Sequence, residues 1–331
     1  MATHCSIVAS ADLPVANRGA LDDTGLLRRD IASHAMNQHM NRTPSKPKAA
    51  LWMAGWLSLM LVVAVAGREA ARELNVFQIM EIRSTIGLVL LYPLIRLAGG
   101  FGALRTSRFR LHASRGLLHY AAQLGWFYAL TLIPLGQVVS LEFTMPIWTA
   151  ILAASFLGER MTIWKILAIA LGLIGVFVIV RPATGEINPG QLIALAAAVG
   201  FGTSVAIMKS LTRTEASVAI VFWMMAIQVV AGALPTFYVW VWPSPYAWAC
   251  AIAIAIGGTF SHFCMARAML YADATIVLPM DFLRVPLTAA AGWLLYAERM
   301  DIFTVLGALL ILTGNLLNLK PPAVRTMPAQ A

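Results

Sequence analysis

The chain has 331 residues, of which 60% are hydrophobic and 12% are charged, and its mean hydropathy is +0.76. A soluble domain is about half apolar and about a quarter charged, so the composition excludes an ordinary soluble protein and indicates a polytopic membrane protein. The formal net charge of +9 does not indicate a nucleic-acid partner. The basic residues of the chain lie in the leading tail and in loops, where such residues determine the orientation of a membrane protein.

Residues 1–48 are polar and carry no apolar core of the kind that a signal peptide needs. We interpret them as a disordered cytoplasmic N-terminal extension, in which Met36 is an alternative start of translation. Residues 321–331 are predicted to form a short C-terminal tail. The cysteines show no metal or disulfide spacing, so we expect no cofactor and no metal site.

After the tail, the chain contains ten apolar runs, each close to the ~20 residues that a helix needs to cross a ~30 Å hydrocarbon core. The predicted fold is therefore an all-α membrane protein with ten transmembrane helices. The excess of Lys and Arg in alternate connections places both termini in the cytoplasm. The predicted spans are 50–67, 76–97, 112–132, 135–157, 163–180, 188–208, 217–241, 246–267, 274–296 and 302–319.

The second half of the chain repeats the first at a shift of 139 residues without a gap. Under this shift Glu142 falls on Asp281, and the break Glu159-Arg160-Met161 falls on Glu298-Arg299-Met300. We predict one five-helix repeat at 49–181 and a second at 187–320. Because five is odd, the second repeat enters the bilayer from the opposite side. Such inverted repeats are typical of secondary transporters with a substrate site near the membrane midplane.

Two acids lie inside predicted spans, where charges are costly and usually functional. Glu142 precedes Pro146, which cannot donate to the carbonyl four residues back and should therefore kink the helix. Asp281 has a structural alternative, an ion pair with Arg284 three residues further along the helix. The corresponding alternatives for Glu142 are Arg83 or Arg115 on other spans.

Span three carries four large polar side chains on one helical face, at spacings of four, four and three residues. They are Arg115, His119, Gln123 and Trp126. The functional interpretation is the wall of a cavity, and the alternative is hydrogen bonding between helices. The same shift places Gln123 on His262 in span eight, which favours the cavity wall.

Other features of the spans allow two interpretations each. Glu81 and Arg83 form either an outer mouth of the pathway or an interfacial anchor. Spans five and ten carry small residues at spacings of three, four and seven, which predict close helix packing in a scaffold or in a homodimer contact. These small residues are Ala168, Gly172, Gly175, Gly307 and Gly314.

The pattern resembles the EamA branch of the drug/metabolite transporter superfamily. The resemblance rests on ten spans in two halves, on the break at Gly158-Glu159-Arg160, and on the segment Pro146 to Gly175 with its second copy beginning at Asp281. It implies a secondary transporter of the cytoplasmic membrane, often an exporter of amino acids or other metabolites. Some members of that family import compounds such as riboflavin or S-adenosylmethionine.

Our leading hypothesis is a secondary transporter that moves a small amphipathic or zwitterionic metabolite by alternating access, with coupling to protons or cations. Glu142 would take a proton or a cationic group, and the anionic group would bind to Arg115, Arg284 or His119. Trp126 and Trp148 would contact the apolar part of the solute. A channel or a membrane enzyme is the alternative, but no His-Glu-x-x-His or Gly-x-Ser-x-Gly motif is present, so we expect no enzyme.

Overall fold

A computed structural model describes residues 45–97, 99–157, 161–181, 188–211, 214–269, 271–272 and 274–319. Within these ranges the regular structure consists of α-helices and one short 3₁₀ helix, Gly100–Leu104, and no strand occurs. The helices are α1 Lys46–Ala70, α2 Val76–Leu97, α3 Phe109–Leu132, α4 Leu135–Glu142, α5 Met145–Leu157, α6 Ile163–Val180, α7 Pro189–Leu211, α8 Ser217–Val239, α9 Pro245–Met269, α10 Ala274–Asp281, α11 Arg284–Tyr296 and α12 Ile302–Asn318.

Six apolar segments in this part of the chain are long enough to cross a membrane, and two shorter apolar helices accompany them. The protein is therefore an all-helical membrane protein, as the composition predicted. The count of ten spans stays a prediction. The first helix begins at Lys46, slightly before the predicted end of the tail. Pro47 is tolerated in its first turn, because the N–H that proline lacks would have no acceptor within the helix at that position. Most of the predicted N-terminal extension and the whole C-terminal tail lie outside the described residues.

The structure differs from the prediction in spans four and nine, where it has a complete break instead of a kink. Span four divides into α4 and α5 at Phe143 and Thr144. Pro146 cannot donate to the Glu142 carbonyl, so the helix ends and restarts one turn later. Span nine divides in the same way into α10 and α11, shortly before Pro286, whereas Pro279 is accommodated inside α10.

The 139-residue repeat is visible in the helix bounds. The starts and ends of α4 and α5 fall exactly that far before those of α10 and α11. Packing follows the same relation, since α1 packs on α9 and its counterpart α7 packs on α3. In addition, α2 packs on its own counterpart α8, and α6 on α12. The two halves are thus interleaved around a pseudo-two-fold relation.

Helices α6 and α12 pack with almost no side chain between them. A Cβ atom built on Gly175 would lie 2.6 Å from the carbonyl oxygen of Gly307, and one built on Gly314 would lie 2.7 Å from that of Ala168. The repeat relates these two contacts to each other, because the shift carries Ala168 to Gly307 and Gly175 to Gly314. The predicted close packing is confirmed, and both of its partners belong to the same chain.

Replacing Gly307 with Ala should therefore destabilise the protein. The new Cβ would lie 2.6 Å from the Gly175 carbonyl oxygen, and overpacking of this kind costs about 1–3 kcal/mol. The unfolding temperature of the purified protein in detergent measures the effect. Gly102→Ala is the control, because a Cβ there meets nothing within 4 Å. Equal unfolding temperatures for the two variants would contradict the close approach of α6 and α12.

The break in span four leaves backbone carbonyls without helical donors in an apolar environment, which costs free energy unless another donor is present. Asn315 on α12 supplies one, since its side-chain Nδ2 donates to the Phe143 carbonyl oxygen at 2.8 Å. The side chain is buried. This single hydrogen bond ties the first broken span to the α6–α12 pair.

We expect Asn315→Leu to lower the free energy of unfolding by about 1–3 kcal/mol, because the Phe143 carbonyl would be buried without a donor. Thr313→Val is the matched control on the same helix, since Thr313 is exposed and donates only to the Leu309 carbonyl of its own helix. Thermal unfolding in detergent compares the two. If Thr313→Val lowered the unfolding temperature as much as Asn315→Leu or more, the result would argue against a role for the Asn315 hydrogen bond.

Candidate functional site

A buried row of charges joins the two broken spans, and we call it the acid–base row: Glu142, Arg284 and Asp281. Arg284 donates through Nη1 to Glu142 Oε1 at 2.9 Å, and its Nε lies 3.4 Å from Asp281 Oδ1. The side chains of both acids are 14% exposed and that of Arg284 is 7% exposed. The row is thus a compact charge network that is largely withdrawn from solvent.

An indole ring closes each end of the acid–base row. Trp126 on α3 donates from Nε1 to Glu142 Oε2 at 2.8 Å. Trp56 on α1 donates from Nε1 to Asp281 Oδ1 at 2.6 Å. Each carboxylate therefore receives one indole N–H and also faces the shared guanidinium. Charge-assisted hydrogen bonds of this kind are among the stronger ones in proteins.

Two phenylalanines pack beside the row at the helix breaks. The rings of Phe143 and Phe282 meet edge to face with centroids 5.5 Å apart, and the guanidinium carbon of Arg284 lies 4.7 Å from the centroid of Phe143. The site thus has apolar aromatic surface next to its charges. The 139-residue shift relates Phe143 to Phe282, as it relates Glu142 to Asp281.

The backbone explains why the acids meet at the centre. Glu142 is the last residue of α4, and Asp281 is the last residue of α10. The C-terminal end of a helix carries partial negative charge on its unsatisfied carbonyls. Two such ends and two carboxylates converge on a single guanidinium, so the local balance is negative. The arrangement can bind a cation or a proton, or a cationic group that competes with Arg284.

The structure identifies the ion-pair partners of the two acids. Asp281 does have the predicted contact with Arg284 on its own span. The partner of Glu142 is neither Arg83 nor Arg115, as we had considered, but Arg284 from the other half of the chain. The sequence offered Met145 at the position that matches Arg284, so no symmetric partner existed in the first half. The ion pair between Arg284 and Glu142 is a tertiary contact between the two halves of the chain.

Three residues of the site were missed: Trp56, Phe143 and Phe282. The two phenylalanines were detectable, because the repeat shift superimposes them beside the acids. Trp56 was not, since α1 had no polar stripe and was not expected to line the site. Span one was therefore absent from the predicted site.

Other predicted residues contact partners outside the acid–base row. Arg115 donates to the Ile220 carbonyl at 3.2 Å and lies eleven residues from Trp126, or roughly 16 Å along α3. His119 packs on Phe201, with ring centroids 5.2 Å apart. Trp148 donates to Thr144 at 3.1 Å within the break. The side chain of His262 lies outside the described part of the structure.

Glu81 and Arg83, the candidate residues of the outer mouth, contact different parts of the protein. Arg83 donates through Nη1 to Gln123 Oε1 at 3.0 Å, which places it with the predicted stripe of span three. Glu81 points elsewhere, because a Cβ built on Gly232 would lie 2.5 Å from its Oε2 and 2.8 Å from the hydroxyl of Tyr120. A common site for Glu81 and Arg83 is therefore not formed.

A cavity of about 600 Å³ lies beside the connection between α1 and α2, and its lining includes no residue of the acid–base row. Most of the lining is apolar, with contributions from Phe77, Leu124, Tyr128 and Ile193. A cavity of this volume is within the range of small-molecule binding sites. The converging charges favour the acid–base row instead, since an apolar hollow carries little chemistry that could select a metabolite.

An all-helical membrane protein with a charged network buried at paired helix breaks has the features of a transporter. The comparisons agree: the model of the EamA-like transporter family matches residues 48–181 and 188–320. The chain therefore belongs to the EamA-like transporter family, whose relatives here are transporters of the drug/metabolite type.

Individual relatives differ in what their names say. The chain is 28% identical over 273 residues to the S-adenosylmethionine uptake transporter of Rickettsia felis, covering 81% of this chain and 92% of the relative. It is 34% identical to the riboflavin transporter of Brucella anthropi, covering 70% and 83%. It is 30% identical to the pseudopaline exporter CntI of Pseudomonas aeruginosa UCBPP-PA14, covering 75% and 87%.

One crystal structure, described only as "Crystal structure of protein", matches with a TM-score of 0.58 at 19% identity and covers 83% of this chain and 97% of that one. At this identity the match concerns the fold alone. The relatives agree on transport and differ in solute and direction.

Removing the central charge of the row should be more damaging than removing the whole row. Arg284→Gln leaves two buried carboxylates without their cation, and breaking a buried ion pair costs about 3–5 kcal/mol. Adding Glu142→Gln and Asp281→Asn should recover part of that loss, as seen in the unfolding temperature in detergent. The control is Arg72→Gln, which removes an exposed guanidinium from its pair with Glu69, a contact at the protein surface worth about 0–1 kcal/mol. If the losses in unfolding temperature from the three substitutions simply added up, the result would contradict a shared charge network in the acid–base row.

Proposed function

We propose that this chain is a secondary carrier that moves a small amphipathic or zwitterionic metabolite across the inner membrane by alternating access. The carrier would have ten spans in two inverted five-helix repeats, with both termini in the cytoplasm. Export is the direction we put first. Uptake of a metabolite such as S-adenosylmethionine or riboflavin is the alternative, and the names of the relatives support both directions.

One observation carries the proposal: the ion pair between Glu142 and Arg284 connects the two halves of the repeat. A carrier must couple solute binding to a rearrangement of its halves, and a ligand can do this only through different interactions in the two states. A cationic group that takes the place of Arg284 at Glu142 would remove a polar link between the halves. Solute binding would then favour their movement.

The chemistry of the site supports a solute with a cationic group and a flat or apolar part. The negative balance of the row attracts a cation, and the indoles of Trp56 and Trp126 supply aromatic surface of the kind that binds organic cations. S-adenosylmethionine has such a composition, since it combines a sulfonium with a purine. Riboflavin has the flat ring without the cation, so it fits the aromatic surface better than the charges.

The same geometry supports coupling to protons or cations. In broken-helix transporters, unwound carbonyls and the C-terminal ends of half-helices bind coupling ions. The ends of α4 and α10 meet at Glu142 and Asp281 in this way. A proton or cation at either carboxylate would weaken its hold on Arg284, as a cationic solute would.

Proteoliposomes loaded with S-adenosylmethionine or riboflavin test the function. Glu142→Gln and Asp281→Asn should each lower the flux about tenfold, which corresponds to about 1.4 kcal/mol, and should flatten its pH dependence. Glu73→Gln is the matched control, because it makes the same chemical change in the exposed connection between α1 and α2.

Flux and pH dependence that match the wild type in both row variants would remove the acid–base row from the mechanism. A rate that rises linearly with solute concentration and does not saturate would favour a channel.

A further inference from the structure

A second buried polar cluster lies where α2, α3 and α8 meet, and we call it the amide cluster: Arg83, Gln123, Gln228 and Ser84. Arg83 Nη1 and Gln228 Nε2 both donate to Gln123 Oε1, at 3.0 and 3.1 Å. Ser84 Oγ in turn donates to Gln228 Oε1 at 3.2 Å. Gln123, Gln228 and Ser84 are all buried. No part of the proposed carrier mechanism has used this cluster.

The guanidinium of Arg83 has an unusual environment for a charge within a membrane span. Within the described ranges, no carboxylate lies within ion-pair distance of it, whereas Arg284 has two. Its hydrogen bond in that part of the structure runs through Nη1 to a neutral amide. A cation in an apolar environment without a counter-charge is costly, so a partner from outside the protein would be favoured.

The other edge of the Arg83 guanidinium faces a glycine. A Cβ built on Gly258 would lie 3.4 Å from Nε and 3.5 Å from Nη2. The neighbouring Gly257 is needed for helix packing, since a Cβ there would lie 2.8 Å from Val63 Cγ2. Gly258 has no such requirement, because its Cβ would meet Arg83 at ordinary contact distance. Glycine at 258 thus places no side chain of its own over the Nε–Nη2 edge of Arg83.

The hydrogen-bonding inventory of the amide cluster decides what it can bind. Both glutamine oxygens already accept, from Arg83, Gln228 and Ser84. Gln123 Oε1 accepts two hydrogen bonds and Gln228 Oε1 accepts one, so most of the capacity that remains on Arg83 and on the two carboxamides consists of N–H donors. A cluster that offers donors and a positive charge suits an oxyanion.

We propose that the amide cluster is an anion subsite of the transport path, which takes a carboxylate or phosphate oxygen of the solute on the Nε–Nη2 edge of Arg83. Gln123 and Trp126 are three residues apart on α3, so the subsite and the acid–base row are neighbours on one helix. A solute with an anionic and a cationic group could occupy both. The inference rests on the proposed carrier function, and it assigns the anionic pole to Arg83 instead of Arg115, Arg284 or His119.

The test uses purified full-length protein in detergent and needs no knowledge of the transported solute. The unfolding temperature is measured against sodium acetate and, separately, sodium phosphate, with chloride keeping the ionic strength constant. A ligand that binds the folded state stabilises it by mass action. We expect a stabilisation that saturates with acetate, is lost in Arg83→Gln, and is reduced in Gly258→Ala. The Gly258 variant keeps the charge and fits the packing, so it reports even where Arg83→Gln fails to fold.

Arg72→Gln is the control, because it removes an exposed guanidinium and should leave the anion effect unchanged. Saturation by phosphate but not acetate would support the subsite and identify a phosphorylated solute. No saturable anion effect, or an effect that both variants retain, would overturn the proposal. Because the readout is stability and not flux, a failed subsite and a failed carrier function give different results.

Discussion

The structure depends on one constraint, which is that a guanidinium and two carboxylates are buried together with little exposure to solvent. Arg284 is buried there with Glu142 and Asp281 facing it, and removing any one of the three would leave a buried charge without its partner. Trp126 donates to the other oxygen of Glu142, and Trp56 donates to the Asp281 oxygen that also faces Arg284. Five side chains from both halves of the repeat are thereby fixed relative to one another.

The broken spans create the site because they end helices where no helix would normally end. A proline shortly after each break removes the donor that would continue the ladder, and the freed groups need other partners. Asn315 provides one of these partners for the first break. The α6–α12 pair, which is packed backbone to backbone, thus supports the broken span from outside while the acid–base row occupies its inner side.

Much of this arrangement was predictable from the sequence because the repeat places equal residues at equal depth. Glu142 and Asp281 were identified in this way, whereas Arg284 was identified by its spacing from Asp281, Trp126 by the polar face of span three, and the close packing of spans five and ten by the spacing of their small residues. What could not be predicted was which cation meets which acid across the halves. That choice depends on the interleaved packing of helices far apart in the chain, as for Arg284 with Glu142 and for Trp56 with Asp281. The amide cluster was missed for a related reason, since Arg83 was assigned to a surface position by its place in span two.

The repeat is not exact at its centre. Arg284 has Met145 as its counterpart, so the guanidinium belongs to one half only, although each half contributes an acid. If the two halves exchange conformations during a transport cycle, Arg284 stays with the second half and has a different backbone environment in each conformation. The two conformations then differ in electrostatic energy even without solute. An empty protein of this kind has a preferred resting orientation, which makes its apparent affinity for a solute unequal on the two faces of the membrane, while the gradients alone set the direction of net movement.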